Sequence, residues 1–485
     1  MRRYNISIKQ KNFCNRINKF ICNFQYTSSF IAGVFLKFAF CKGTTFPPIL
    51  ILSFGLLLKI LKISNHPLRI GYLFGIGYFG STLYWIAGSF ECVGLGVFGY
   101  PAVIALVLYL SFYTAIPCLL TKKLSKNSNM ITLMFPVFWV IFEYVRGYMF
   151  TGFPWNLIAY ASLDTPYFSQ IADLIGAYGV SFILLLIVTL LQSKGTFKYG
   201  LAIFLISISY GYFRINISDD FETINIGGEI TIVQPSISQR DKIDQSKFFS
   251  NLNKLIVLSD FEKSTNKPRL IVWPEASVSL LYHKEQILNY ISKHINGQTY
   301  LLIGCDYIQN EDLYNGALIL NKNGDILSSY EKRHLLPFGE FVPEILLKLG
   351  IKKITDGMIN FKSGEKSRSI QLNNLLPFNL VICYEAVFPG KIVDKNEGIN
   401  HKSIIINITN DAWFGDSDGP AQHFRSVCFR AIEEGRPVFR CANNGISCIV
   451  DMYGKVINKI KTNNIGALIF DDNVRIRNTL YSRFS

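Results

Sequence analysis

Cys383 stands at the end of an apolar run, 380–389 (LVICYEAVFP), with Tyr384 and Glu385 directly behind the sulfur. Two other apolar runs end in groups that complement a thiol. Residues 269–277 (RLIVWPEAS) deliver Glu275, and residues 330–343 (YEKRHLLPFGEFVP) supply Lys332 and Glu340. A thiol, an acid and an amine suggest a nucleophile, its base and an oxyanion partner. Sulfur forms acyl intermediates readily once it is a thiolate. Glu275 follows Trp273-Pro274, a rigid and apolar setting, and partial burial there raises a carboxyl towards the range where it exchanges a proton with a thiol. Lys332 is suited to face a developing oxyanion, together with a backbone N–H following the cysteine. Each residue alone has a plainer fate. Cysteines at strand ends are often inert core residues, and a lone Glu or Lys usually makes a surface salt bridge. What favours chemistry is three separate runs, each ending in a matched group. No His-based dyad competes: His334 near Lys332 suits a structural role equally well, and His423 falls on a predicted helix.

The elements that must present these groups follow from periodicity and turn chemistry. Strands are expected at 229–237, 269–272, 299–305, 317–320, 326–330, 377–383, 403–409, 437–443, 446–450 and 455–460. Helices are expected at 245–259, 285–294 and 419–434. Strands alternating with helices, with hairpins among them, make an α/β layered domain.

In front of this half lies one of different composition. A chain of 485 residues is expected to hold two or three domains, and its mean hydropathy of +0.25 averages a very apolar first part with an ordinary second part. The formal charge of +15 comes from dispersed Lys and Arg, many flanking apolar segments, so no nucleic-acid partner is indicated. Ten cysteines without CxxC or Cys/His spacing indicate neither a zinc site nor a redox pair. The basic N-terminal region runs into 27–40 without a small-residue cleavage site, so no signal peptide is read. A membrane span needs about 20 apolar residues. Spans are expected at 46–63, 68–90, 98–120, 130–150, 168–191 and 197–213, with 27–40 a first span or a re-entrant helix. Basic residues cluster on alternate loops, which the positive-inside rule makes cytoplasmic. With seven spans, everything after Phe213 lies on the far side. Glu143 and Arg146 sit three residues apart on one face of the 130–150 helix, a costly pair that is a functional candidate or a structural ion pair. The Gly/Pro-broken TGFPWN (151–156) follows and reads as a re-entrant loop. Gly94, Gly96 and Gly99 fit GxGxxG, but no strand precedes them, so no dinucleotide site is implied.

WPEAS, YEKRHLLPFGEFVP and ICYEAVFP resemble the Glu, Lys and Cys boxes of the nitrilase superfamily. With NITNDAWFG, GPAQHFR, AIEEGRP and CANNGIS downstream, and GYLFGIGYFGSTLYWI, FEYVRGYMFTGFPW and GAYGVSF upstream, the chain resembles the apolipoprotein N-acyltransferase family over nearly its whole length. The resemblance implies a multi-pass α-helical membrane domain (1–217) and an αββα nitrilase-type sandwich (218–485) on the periplasmic side of a bacterial inner membrane. It implies that Glu275 is the general base, that Lys332 stabilises the tetrahedral intermediate and that Cys383 carries the acyl group as a thioester. Glu340, Tyr384, Glu385, Trp413 and Arg146 match positions that support the site or bind substrate. The implied donor is a phospholipid such as phosphatidylethanolamine, and the acceptor a diacylglyceryl apolipoprotein, with no cofactor or metal and a monomeric enzyme. The family normally adds a further membrane helix after the sandwich, where this chain carries NTLYSRFS up to Ser485. A membrane-bound nitrilase-type amidase is the competing reading, and a non-catalytic membrane scaffold a second. A lid is expected near 341–361, punctuated by Pro343, Gly350 and Gly357.

Overall fold

A computed structural model defines residues 23–40, 48–92, 94–263, 267–342, 360–394 and 402–484. The expected lid lies largely outside these residues. The chain divides into two compact units: Met1–Tyr84, Tyr100–Thr165 and Tyr178–Ile208 form the first, and Trp85–Gly99, Pro166–Ala177 and Ser209–Ser485 the second.

Helices α1 (Gln25–Phe35), α2 (Pro48–Ile63), α3 (Pro67–Leu83), α4 (Ile86–Glu91), α5 (Gly96–Leu110), α6 (Phe112–Leu124), α7 (Ser128–Tyr148), α8 (Pro166–Ser169), α9 (Ala172–Leu190) and α10 (Phe197–Asn216) fill the apolar half. Among the described residues, Gly96–Leu124, Ser128–Tyr148 and Ala172–Leu190 are long and apolar enough to cross a membrane. One expected span turns out to be jointed: the 68–90 stretch breaks between α3 and α4, whereas the 98–120 stretch runs as one helix through Ser111. Within it the Ser111 hydroxyl donates to the Val107 carbonyl (2.7 Å), which satisfies that polar group inside the apolar helix. In the first unit the close helix crossings rest on glycine. A Cβ on Gly77 would come 2.2 Å from the Phe30 carbonyl oxygen, and one on Gly33 2.0 Å from that of Phe74, so α1 and α3 meet backbone to backbone.

After α7 the chain leaves helical geometry at Phe150 and Asn156, both at positive φ. Nearly every residue from Gly152 to Tyr160 is buried or half-buried, so its free backbone groups need partners inside the protein. Arg146 donates to the Trp155 carbonyl (2.8 Å), Glu143 accepts from the Ile158 N–H (3.0 Å), and the Tyr78 hydroxyl donates to the Asn156 carbonyl. The Arg146 guanidinium also lies over the Phe79 ring.

The second unit is built on β1 (Glu222–Asn225), β2 (Glu229–Gln234), β3 (Arg269–Val272), β4 (Val278–Ser279), β5 (Thr299–Gln309), β6 (Asp312–Leu320), β7 (Ile326–Glu331), β8 (Ser369–Ile370), β9 (Phe378–Ile382), β10 (Ile404–Thr409), β11 (Val438–Ala442), β12 (Ser447–Val450), β13 (Val456–Ile460), β14 (Gly466–Phe470) and β15 (Asn473–Ile476). One sheet runs β14-β2-β3-β5-β6-β7, with β4 on β5, and the other runs β13-β12-β11-β10-β9-β8. Their centres are parallel: β2, β3 and β5 in one, β9, β10 and β11 in the other. Central parallel strands are covered on both faces and therefore read as unbroken apolar runs. Alternation sorts the side chains. Ile230, Ile232, Leu270 and Val272 meet Leu380, Ile382, Ile406 and Phe439 between the sheets, while Val233, Ile271 and Trp273 face outward. That outer face is capped by α12 (Phe248–Ser259) and α13 (Lys284–Ser292), preceded by the short α11 (Gln239–Ile243). The outer face of the other sheet is covered by α14 (Gly419–Glu434), and α15 (Leu480–Phe484) ends the described chain. The result is an αββα sandwich attached to a helical region. The expected helix at 419–434 matches α14, whereas α11, β14 and β15 have no counterpart among the expected elements.

Candidate active site

Each chemically distinctive side chain sits just beyond the C-terminal end of a strand. Glu275 follows β3, Lys332 follows β7, Cys383 follows β9, and Asn410 follows β10. In open α/β sheets this rim is where ligands bind, because the chain there is released from sheet geometry. The release is visible in the backbone. Cys383 has φ +48° and Ala276, beside Glu275, has φ +45°, a left-handed conformation that costs a side-chain-bearing residue about 1–3 kcal/mol. Strain at these two places marks a site held by its surroundings.

The three groups converge. Lys332 Nζ lies 3.1 Å from Glu275 Oε1 and 2.9 Å from Glu340 Oε1. Asn315, from β6, bridges the same two carboxylates through its amide nitrogen, at 2.9 Å to Glu275 and 2.6 Å to Glu340. The other Glu275 oxygen accepts the Asn410 backbone N–H (2.9 Å), and the Cys383 thiol hydrogen-bonds the Glu275 carboxylate. Glu340 is fixed in turn by the Leu336 N–H (2.6 Å). All these carboxylates and the lysine are buried.

Burial alone would raise the Glu275 carboxyl. The Lys332 ammonium, with hydrogen bonds from Asn315, Cys383 and Lys332, holds it below the ordinary carboxylate value. Burial works on Lys332 in the opposite sense, yet Glu275 and Glu340 hold its ammonium well above the usual lysine value. For Cys383, burial pushes the thiol up and the Glu275 charge pushes it further, with Lys332 opposing. The resting arrangement is therefore an ionised carboxylate, an ammonium and a protonated thiol. A thiol beside an ionised carboxylate is an arrangement in which a proton can pass from one to the other.

Glu385 has a different surrounding. It accepts from the Tyr330 hydroxyl (2.9 Å), the Arg333 and Ile382 N–H groups (2.9 and 2.8 Å) and the Arg368 guanidinium (2.9 Å). It is a buried staple under the turn that carries the sulfur. Tyr384 packs edge-on against Phe388 in the same turn. Trp413 lies half-buried on a 3-10 turn, Asp411–Phe414, and its carbonyl accepts from the Ser89 hydroxyl (2.8 Å). Arg146 belongs to the helical unit, on the partners given above.

Sequence reasoning missed four contributors. Asn315 and Asn410 are amides on or next to strands, where no chemistry had been read. Lys242, on α11, donates to the Glu275 carbonyl (3.3 Å). His423 on α14 is fully buried, with Nε2 3.2 Å from the Cys383 carbonyl oxygen and Nδ1 3.0 Å from Asp411. Arg440 pairs with Asp411 at 2.7 Å and, with His423, holds that carboxyl down to about 2 despite burial. The NITND and GPAQHFR stretches carry these residues, but Asp411, His423 and Arg440 meet only in the fold. Cys305, Cys428, Cys441 and Cys448 are buried free thiols.

A family model described as the apolipoprotein N-acyltransferase N-terminal domain matches residues 32–190, and one described as carbon-nitrogen hydrolase matches residues 229–475. The apolipoprotein N-acyltransferase of Rickettsia prowazekii (strain Madrid E) is 34% identical over 457 residues, covering 87% of this chain and 88% of its own. That of Brucella melitensis biotype 1 is 33% identical over 423 residues, covering 82% and 78%. Among solved structures, a CN-hydrolase superfamily protein from Xanthomonas campestris matches 51% of this chain and 90% of its own at 14% identity, with a TM-score of 0.36.

Proposed function

The chain belongs to the apolipoprotein N-acyltransferase family, and from that premise we propose that it moves a fatty acyl group from a membrane phospholipid to the N-terminal cysteine amine of a diacylglyceryl apolipoprotein, through a thioester on Cys383. The observation that carries this reading is the buried cluster in which Glu275 holds both the Lys332 ammonium and the Cys383 thiol.

In the first half-reaction Glu275 takes the thiol proton while sulfur attacks the ester carbonyl. Lys332 and the backbone N–H following Cys383 face the tetrahedral oxyanion. Collapse breaks the carbonyl–oxygen bond, and the proton on Glu275 goes to the departing lysophospholipid alkoxide, leaving the thioester. In the second half-reaction the acceptor amine attacks the thioester, Glu275 takes the amine proton, and the sulfur leaves and is reprotonated. The balance is ester plus amine giving amide plus lysophospholipid, with ping-pong kinetics. Glu340 and Asn315 keep Lys332 and Glu275 in register, and Glu385 and Tyr384 fix the nucleophile turn. Trp413 and Arg146 complete the proposed supporting set. Residues 1–217 serve as the membrane domain and 218–485 as the catalytic domain. The basic loops at 59–69, 122–126 and 194–198 favour a bacterial inner-membrane enzyme with its sandwich in the periplasm. Phosphatidylethanolamine is the proposed donor, and the enzyme is proposed to act as a monomer.

The test is intact mass after incubation with acyl-labelled phosphatidylethanolamine, followed by a diacylglyceryl-cysteine peptide. A Cys383-dependent acyl adduct that passes to the peptide amine is expected. Label released only as free fatty acid, or amide hydrolysis without transfer, would point to an amidase instead. An unmodified protein would leave only a scaffold.

A further inference from the structure

Two lysines stand at the site, and they are used differently. Lys332 spends its ammonium on two carboxylates. Lys242 has one hydrogen bond, to the Glu275 carbonyl, and no carboxylate within ion-pair distance among the described residues. An ammonium carries three N–H donors, so among the described residues two of them have no partner. Its setting is nevertheless fixed. Ser238 caps α11 by accepting from the Asp241 N–H (3.1 Å), Asn251 donates to the Asp241 carbonyl (2.8 Å), and Gln239 accepts from the Asn410 side chain (2.9 Å). Asn410 is the residue whose backbone N–H holds Glu275. One hydrogen-bonded chain thus sets both the base and Lys242.

The charged and titratable groups facing Lys242 are Glu275, Asp306 and Cys383. Glu275 is already neutralised by Lys332. Asp306 accepts from the Ser279 hydroxyl (3.0 Å), and burial raises its carboxyl. The thiol rests protonated. Among the described residues, then, no group forms an ion pair with Lys242. A cation with donors to spare, bonded to the Glu275 main chain and acting on the sulfur, suits a ligand with an anionic head.

Resting on the acyl-transfer reading above, we propose that Lys242 recognises the phosphodiester of the acyl donor, so that it acts in the first half-reaction only. The acceptor, a diacylglyceryl cysteine, carries no phosphate to engage it. Burial pushes the Lys242 amine down to about 8, so its charge fades as pH rises through that value.

The experiment compares acylation of Cys383 by phosphatidylethanolamine in mixed micelles with acylation by an uncharged p-nitrophenyl ester of the same fatty acid. In K242Q the ratio of the two rates should fall tenfold or more, mainly through KM for the phospholipid, and K242R should restore most of it. In the parent the ratio should also fall between pH 7 and 9, and K242R should flatten that dependence. Equal losses with both donors would reduce Lys242 to a support for the Glu275 loop and overturn the proposal, as would an unchanged ratio. A parent that accepts acyl groups from the p-nitrophenyl ester but never from phospholipid would overturn the acyl-transfer reading itself, a separate outcome.

Discussion

Both units bury a carboxylate near a cation, and they employ the charges in opposite ways. In the helical unit Glu143 and Arg146 turn to backbone: the acid holds the Ile158 N–H and the guanidinium the Trp155 carbonyl. In the sandwich Glu275 and Lys332 turn to side chains, namely each other, Asn315, Glu340 and a thiol. Charges bonded to main chain hold a broken segment in place. Charges set against a thiol and against one another can exchange protons. The contrast teaches that burial of an ionisable group does not by itself mark chemistry; the identity of its partners does.

The largest expected effects test the sandwich half of that contrast. E275Q should slow Cys383 acylation by about 10³-fold, the scale of a lost general base, and C383A should abolish the adduct in intact-mass measurements. A fast adduct in E275Q would mean that the thiol needs no base there. K332M comes next. It leaves two buried carboxylates without their cation, which costs about 3–5 kcal/mol of stability, and it removes an oxyanion partner, so both melting temperature and acylation rate should fall. Loss of rate at full stability would mean that the lysine is not structurally engaged.

R146M tests the other half. The Trp155 carbonyl loses its donor, at about 1–3 kcal/mol, and thermal unfolding in detergent should record the loss while acylation per folded molecule falls less than tenfold. A collapse of rate with unchanged melting would erase the distinction between the two pairs. The smallest effect concerns Glu433, which accepts the Ala177 N–H (2.6 Å) and which burial raises to about 7. Its folded pKa lies above its unfolded value, so the native state binds the extra proton and stability falls as pH rises from about 4.5 to about 7. The full span is worth at most about 3 kcal/mol. E433Q keeps an acceptor for Ala177 and should flatten that slope in melting curves across the same range.

The sequence displayed the strands that carry the site because central parallel strands are apolar on both faces, as at 269–272 and 404–409. Helix α14 was equally plain, opened by Gly419-Pro420 and closed by Gly435 in the left-handed region. Other features were hidden for physical reasons. Hydropathy sums over a window, so it joins α3 to α4 across the break after Leu83. Asn315 gives no signal in a strand until Glu275 and Glu340 are brought to it from 40 and 25 residues away. His423 looked idle on its helix because Asp411 and Arg440 reach it only after the second sheet forms.

The raised thiol of Cys383 has one more consequence. Peroxides and alkylating agents attack thiolates, so a sulfur kept as S–H in the resting enzyme is a poor target for them. Iodoacetamide should therefore modify Cys383 slowly at neutral pH, while an ester seated against the carboxylate consumes it quickly. On the proposed reaction, the sulfur would be spared such reagents until an acyl donor meets it.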